Sequence, residues 1–330
     1  MKEFAVCGIG NAIVDLFVGV TDEEFATLGF ERGTMRLVEA DEQKDILKQF
    51  HERVPRLVSG GSVANSVIGF SQLGGKAAFI GIVGDDRYGL HYQEEFQQLG
   101  IDMGNPILVD QTTGTCACVI TPDAERTMRT CLAVNGQLSG AHVDADRVAK
   151  SEWLFVEGYL LANPGTGQEA VAEAIRVAKK NGVKVALTCS EAFIVHVFGD
   201  AFFKTLSNSD FLFSNASEAM AITKTDSAKT AFAKLKDLVP GCVVTDGPHG
   251  AYIRYQGVET HVDAYPCTPK DLTGAGDMFA GSFLYGITQG LAPDAAGRGA
   301  NFLAMKVISQ VGARLHSGAK EFWSEATGGK

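Results

Sequence analysis

Asp271 to Leu284 reads Asp-Leu-Thr-Gly-Ala-Gly-Asp-Met-Phe-Ala-Gly-Ser-Phe-Leu, and its first half has the residue types to handle an anion and a proton together. Gly274, Ala275 and Gly276 precede an apolar stripe at helical spacing: Met278, Phe279, Phe283, Leu284 and Ile287. Backbone N–H groups are therefore expected at a helix N-terminus with no large side chain over them. Such groups lack intrahelical acceptors and carry the positive end of the dipole, so they bind anions. Asp277 falls in the same turn. As a static phosphate ligand it would repel its partner. As a general base it could take a proton from a hydroxyl attacking phosphorus. With an ordinary pKa of about 4 it would be ionised at neutral pH without tuning. The plain alternative is a Gly-rich turn followed by an Asp favoured near any helix start.

Three further segments could complete a site. Gly60-Gly61-Ser62-Val63-Ala64-Asn65 precedes a helical pattern that stops at Gly74-Gly75. The glycines would let backbone approach a ligand, and Asn65 can donate and accept, which suits a sugar hydroxyl. Equally, Ser62 could simply cap the helix. Asn215 and Glu218 stand three apart after an apolar run ending at Phe213. They would project from one helix face and could hold phosphate oxygens and Mg²⁺-bound water, or serve only as cap and first-turn acid. Val243-Val244-Thr245-Asp246-Gly247-Pro248-His249-Gly250 is a strand and tight turn that could lay bare backbone against a nucleotide, or be only a hairpin.

Familiar phosphate motifs fail. Gly8-Ile9-Gly10 lacks the third glycine of a dinucleotide fingerprint, because position 13 is Ile13. A Walker A loop is excluded by Phe70 and Ala77 around Gly75-Lys76. The seven cysteines include no C-x-x-C, and the seven histidines show no H-x-x-x-H. Cys116 and Cys118 would share one face of a strand but have no second ligand pair, so no zinc site is expected and free thiols in a reducing compartment are.

The elements that must position these residues follow an α/β pattern. Trp153–Val156, Val183–Leu187, Phe211–Phe213 and Cys242–Thr245 read as strands. Between them, Ala170 to Lys180 carries a helical stripe that stops at Asn181-Gly182, and Pro293 opens a last helix to about Gln310. Strands so separated imply a mostly parallel sheet with helices on both faces, a three-layer α/β/α core. Val6–Ile9 reads as another core strand. Residues 12–40 and 108–135 look β-rich, with Thr115–Thr121 and Arg126–Leu132 a hairpin around Pro122-Asp123-Ala124. They are expected to form a small lid sheet on a single unit spanning 1–330. A cleft between lid and core would lie at the C-terminal ends of the core strands.

The 330 residues are 45% apolar and 21% charged, with a formal charge of 29 − 39 = −10. That balance argues against nucleic-acid binding, and an anionic ligand must be held by local N–H groups and a few cations. No apolar run approaches a membrane span, and Phe4 to Val20 lacks the features of a signal peptide, so a cytoplasmic location is expected.

Taken together and in order, these motifs resemble the PfkB (ribokinase-like) family of small-molecule kinases. Asp271 to Asp277 is similar to the family's C-terminal signature. Ser59 to Asn65, continuing through Leu73-Gly74-Gly75 to Val83-Gly84-Asp85-Asp86-Tyr88-Gly89, is similar to its N-terminal one. Gly10-Asn11-Ala12-Ile13-Val14-Asp15 and Glu125-Arg126-Thr127-Met128 resemble the adenosine kinase branch. The resemblance implies ATP-dependent phosphorylation of a hydroxymethyl group on a ribose-like ring, adenosine being favoured. The alternatives are a free-sugar kinase and a nonenzymatic nucleoside-binding module. It implies that Asp277 is the base and that Gly274, Ala275 and Gly276 form the anion hole. Asn11, Asp15, Gly61 and Asn65 would hold the sugar. Asn215 and Glu218 would organise phosphate and Mg²⁺. Thr245, Gly247, Gly250 and Asn301 would line the ATP site. Arg126, or secondarily Arg129, would reach from the lid to the transferring phosphate. Asp271 and Thr273 match positions that help hold a monovalent cation such as K⁺. Leu272 departs from the signature, which often has Thr there. The adenosine kinase branch implies a monomer, with a homodimer through the lid as the alternative.

Overall fold

The computed structural model describes residues 2–104, 106–123 and 125–329. An eight-stranded sheet runs in the spatial order Val258–Val262, Ala251–Tyr255, Gly241–Thr245, Phe211–Asn215, Lys184–Thr188, Ser151–Glu157, Phe4–Ile9 and Ala77–Ile80. The last six are mutually parallel, and the first two close one edge as an antiparallel hairpin. Both faces are buried, which is why the central strands read as unbroken apolar runs rather than alternating ones. Leu154, Val156, Val185, Leu187 and Leu212 face one layer of helices, including Gly167–Lys180 and Ala216–Thr223. Trp153, Phe155, Ala186, Phe211 and Phe213 face the other, which contains Ser62–Gln72, Ala275–Thr288 and Pro293–Ile308. Phe283 stacks on Phe211 at 5.6 Å between centroids and seats the helix Ala275–Thr288 on the sheet. Burying such a ring is worth about 2 kcal/mol.

A second, five-stranded sheet has the order Met35–Leu37, Arg126–Cys131, Gly114–Ile120, Ile13–Gly19 and Arg56–Gly60. Four of its strands come from the two segments expected. Arg56–Gly60 is an addition, paired antiparallel with Ile13–Gly19. Gly114–Ile120 and Arg126–Cys131 are antiparallel, as a hairpin requires. Ala124 of the turn lies outside the described residues. Helices also interrupt the β-rich stretch. Asp22–Thr27 starts in a reciprocal capping box between Thr21 and Glu24, and Ala40–Lys48 follows. Phe25, Ile46 and Phe50 roof the outer face of this sheet over Val18, Val20 and Val119. Gln43 is tied down by donating to the carbonyls of Thr115 and Arg129, each at 2.9 Å. Beyond Pro293–Ile308 the chain forms one more helix, Ala319–Thr327, so the expected last helix is the penultimate one.

Asp86, in the second half of the upstream signature, joins the two sheets. It caps the helix Arg87–Gln98 by accepting from Gly89 N, and it accepts from both the N–H and the hydroxyl of Thr113, next to the lid strand Gly114–Ile120. Among the described residues no helix is long and apolar enough to cross a membrane.

Candidate active site

Asn215 and Thr245 end parallel strands, Glu157 ends the strand beside Phe4–Ile9, and Asn11 follows Phe4–Ile9 closely, so the sheet presents them together at its carboxyl edge. The helix Ala275–Thr288 begins at that edge. Gly274 is its N-cap, with φ of 78°, a conformation that disfavours any residue with a Cβ. A Cβ there would lie 2.1 Å from the carbonyl oxygen of Ala313. The hole differs from expectation in one detail: Ala275 N already donates weakly, at 3.4 Å, to Leu272 O. The N–H groups of Gly276 and Asp277, the next two in the first helical turn, have no intrahelical acceptor.

Asp277 sits between two helices that approach closely. Gly281 permits the approach, since a Cβ there would be 2.1 Å from Ser66 O. Across this contact Ser62 Oγ donates to Asp277 Oδ1 at 2.7 Å, and Asn65 Nδ2 donates to Oδ2 at 3.1 Å. Gly61, with φ of 104°, is the cap of the helix Ser62–Gln72, so Ser62 is free to hold the base instead of capping. Burial pushes the Asp277 carboxyl up to about 6, against these two hydrogen bonds. The expectation of an untuned Asp is thereby corrected.

A cavity lies on either side of this contact. One, of about 220 Å³, is lined by Ser62, Thr188, Asn215, Glu218, Thr245, Gly276 and Asp277 among others. The second, of about 310 Å³, lies under the lid and is lined by Asp15, Phe17, Val58, Asn65, Glu95 and Arg314 among others. Asp277 lines the first and Asn65 the second, and the two are hydrogen-bonded, so Asp277 stands at the seam between them.

On the lid side, Asp15 has no hydrogen-bond donor among the described residues. Burial raises its carboxyl to about 6, with Arg126 and Arg314 working against that rise. The buried amide oxygens of Asn11 and Asn65 also lack partners. Three acceptors thus await donors, which suits hydroxyl groups. Glu157 was not anticipated. Its Oε1 accepts from Asn11 Nδ2 at 2.6 Å, and its Oε2 accepts from Val63 N at 3.1 Å. It thereby fixes Asn11 against the start of the helix that carries Ser62 and Asn65. Burial raises its carboxyl to about 7. An acid closing an otherwise apolar strand was the available signal. Arg314, paired with Glu95 at 3.1 Å, was also missed, and no local pattern marks it.

On the other side, Asn215 and Glu218 form a reciprocal capping box: Asn215 N and Nδ2 donate to the two Glu218 oxygens, and Glu218 N donates to Asn215 Oδ1. The capping alternative is therefore real, and both residues also line the smaller cavity. Burial raises the Glu218 carboxyl to about 7. Each of its oxygens keeps a lone pair, which fits a metal-bound water. Thr245 lines the same cavity. Gly247 and Gly250 shape the following turn, with φ of 52° and 88°. Asn301 Nδ2 donates to the carbonyls of Val262 and Asp263, holding the segment after the sheet's edge strand.

Arg126 and Asp271 form a buried pair at 2.8 Å. Arg126 also lies over the Phe17 ring, and its Nε and Nη2 have no partners. Asp271 additionally accepts from Gly312 N and Thr273 N. Burial pushes its carboxyl up, but these amides and Arg126 outweigh it and hold the group below its usual value. Two of the three donors fall on Oδ2 and only Thr273 N on Oδ1. Arg129 is corrected outright. Side chains alternate along a strand, so it faces opposite to Arg126. It donates to the carbonyls of Thr34 and Met128 and lies over Phe30, away from both cavities.

The raised carboxyls make a pH prediction. A base must be ionised, so kcat/KM is expected to fall as pH drops through about 6, tenfold per unit from Asp277 alone and more steeply where Asp15 protonates too. A pH–rate profile checks this. An acid limb near 4 would show that burial does not tune the base.

A mostly parallel core roofed by a small sheet, with a buried carboxylate beside free helix N–H groups between two cavities, defines a ribokinase-like architecture suited to group transfer onto a small molecule. The chain belongs to the pfkB family of carbohydrate kinases, whose model matches residues 34–319. It is a small-molecule kinase, for a sugar or nucleoside, and kinases of this family use ATP. The structure of a probable sugar kinase protein from Rhizobium etli superposes with a TM-score of 0.89 at 30% identity, covering 100% of both chains. That of adenosine kinase from Sinorhizobium meliloti gives 0.88 at 30% identity, covering 98% of this chain and 99% of the other. Adenosine kinase of Saccharomyces cerevisiae is 27% identical over 325 residues, 92% of this chain and 94% of that one. The nonenzymatic alternative falls with this membership.

Proposed function

We propose that this kinase phosphorylates the hydroxymethyl group of a nucleoside, adenosine in first place, with ATP and Mg²⁺. The observation that carries the reading is the position of Asp277 at the seam of the two cavities, hydrogen-bonded to Ser62 and Asn65. The acceptor hydroxyl would enter from the lid side and give its proton to Asp277 as it attacks. The N–H groups of Gly276 and Asp277, with Ala275 as a weaker third, would meet the charge on the transferring group. Asn215 and Glu218 would order phosphate and metal-bound water, with Thr245, Gly247, Gly250 and Asn301 framing the nucleotide. The unpaired nitrogens of Arg126 would add positive charge from the lid.

Support for a nucleoside comes from the lid-side cavity. Asp15 and Asn65 line it and supply acceptors for ribose hydroxyls, and the unpartnered Asn11 oxygen would be a third. Phe17, Val58, Leu99 and Leu315 supply apolar wall for a flat ring, which a free sugar would leave unused. Two relatives at 27% and 30% identity are adenosine kinases, whereas a ribokinase, a fructokinase and 5-dehydro-2-deoxygluconokinases stand at 28–29%, so the cavity rather than the relatives favours the nucleoside. The helices Asp22–Thr27 and Ala40–Lys48 roof the outer face of the lid, so that face is not free to pair with a second lid, which supports a monomer.

A screen of ATP turnover against adenosine, other nucleosides and free sugars tests the substrate. Turnover of ribose or fructose in preference to every nucleoside would replace this reading with the free-sugar one. Asp15→Ala is expected to raise KM for the acceptor by tenfold or more while KM for ATP holds. Unchanged kinetics would remove Asp15 from the acceptor site.

A further inference from the structure

Asp15 has neighbours that phosphoryl transfer does not use. Ile13–Gly19 and Gly114–Ile120 pair in parallel, in a register that sets Asp15 opposite Cys116 and Phe17 opposite Cys118. Side chains two apart on a strand share a face, so the carboxylate and both thiols project to one side. Their ligand atoms lie within 4.8 Å of one another. The two sulfurs are 3.6 Å apart, and Thr130 Oγ1 donates to Cys116 Sγ at 3.2 Å. A tetrahedral zinc ion holding two sulfurs at about 2.3 Å would set them roughly 3.8 Å apart. The pair is already near that spacing, with an Asp15 carboxylate oxygen within 4.8 Å of both sulfurs.

We propose that Cys116, Cys118 and Asp15 form a site for a soft divalent cation, Zn²⁺ or Cd²⁺, and that filling it blocks the acceptor cavity. Thiolates select soft cations over Mg²⁺, so the Mg²⁺ that accompanies ATP does not compete for the site. Binding exchanges one cation for two protons, which leave the thiols for solvent. Two thiolates and a carboxylate around a divalent ion carry a net charge of −1. Arg126, on the same lid face and against Cys118, offsets it. Of the three ligands, Asp15 lines the acceptor cavity. An Asp15 carboxylate bound to the cation is lost to acceptor hydroxyls, so the cation inhibits competitively with the acceptor. This last clause rests on the proposed role of Asp15; the cation site itself does not.

The test uses the full chain carrying Cys267→Ser, which removes the one exposed thiol. Titration with Cd²⁺ is expected to give one bound ion per chain, a thiolate-to-cadmium charge-transfer band and two protons released. Cys116→Ala and Cys118→Ala should each keep kinase activity, lose the band and lose inhibition at Cd²⁺ concentrations that inhibit the parent at least tenfold. No band in the parent, or a band that survives in both variants, overturns the site. Should a variant fail to fold, as circular dichroism would show, the proton count on the parent decides: two support the site, and one or none overturns it. Binding without competition against the acceptor overturns the inhibitory role. A band with no kinase activity toward any acceptor counts against the proposed function alone.

Discussion

Asp277→Asn is expected to lower kcat by about 10²- to 10⁴-fold, the usual contribution of a positioned general base. The fold should survive. The amide is isosteric, its oxygen can still accept from Ser62, and Asn65 can turn its unpaired oxygen toward the new N–H₂. Burial penalises the ionised form of Asp277, so replacing it with a neutral group should leave the melting temperature unchanged or higher above pH 6. ATP binding should persist, because the phosphate side keeps its N–H groups. Turnover near the parent level at pH 8 would mean that another group takes the proton. A thermal melt alongside the kinetics separates lost chemistry from lost structure.

Gly274→Ala should be nearly as damaging, by another route. The left-handed backbone at this position costs an alanine about 1–2 kcal/mol. Its methyl would also meet Ala313 O at 2.1 Å, far inside contact distance. The turn must move, and the free N–H groups of the helix move with it. Misplacing one such donor in a charge-stabilising site costs about 10²–10³ in kcat. The expected result is a loss of that order in kcat, a lower melting temperature and little change in acceptor affinity, since Asp15 and Asn11 are untouched. An alanine variant with parental kcat would show that the turn's shape does not create the anion hole.

The parts of the site legible in sequence are those whose geometry is local. A small-residue turn ahead of an apolar helix declares its free N–H groups from spacing alone, and Asn215 and Glu218 declare their capping box. Strand and helix alternation gave the parallel core. The unread parts depend on strand pairing and packing between distant segments. Glu157 meets Asn11 only because Phe4–Ile9 pairs with Ser151–Glu157. Cys116 gains Asp15 as a neighbour only through the lid register. Arg129 was misjudged because nearness in sequence to Arg126 conceals the alternation of faces along a strand. Arg56–Gly60 escaped because an edge strand that is short and partly polar has little periodic signal. Thr21 and Glu24, by contrast, were a readable cap overlooked within a β-rich stretch.

The Arg126–Asp271 pair makes the lid and the anion hole parts of one mechanical unit. Arg126 belongs to the lid strand. Asp271 anchors the turn that leads into Gly274 and also accepts from Gly312 N, beside the Ala313 carbonyl that Gly274 must clear. A lid that moved over an acceptor would pull on the turn at Gly274 through this pair. Whatever ordering the acceptor imposes through this pair does not have to be repeated when the donor arrives. By thermodynamic reciprocity, an acceptor that strengthens donor binding through this pair would itself be held more tightly by the donor, by the same factor.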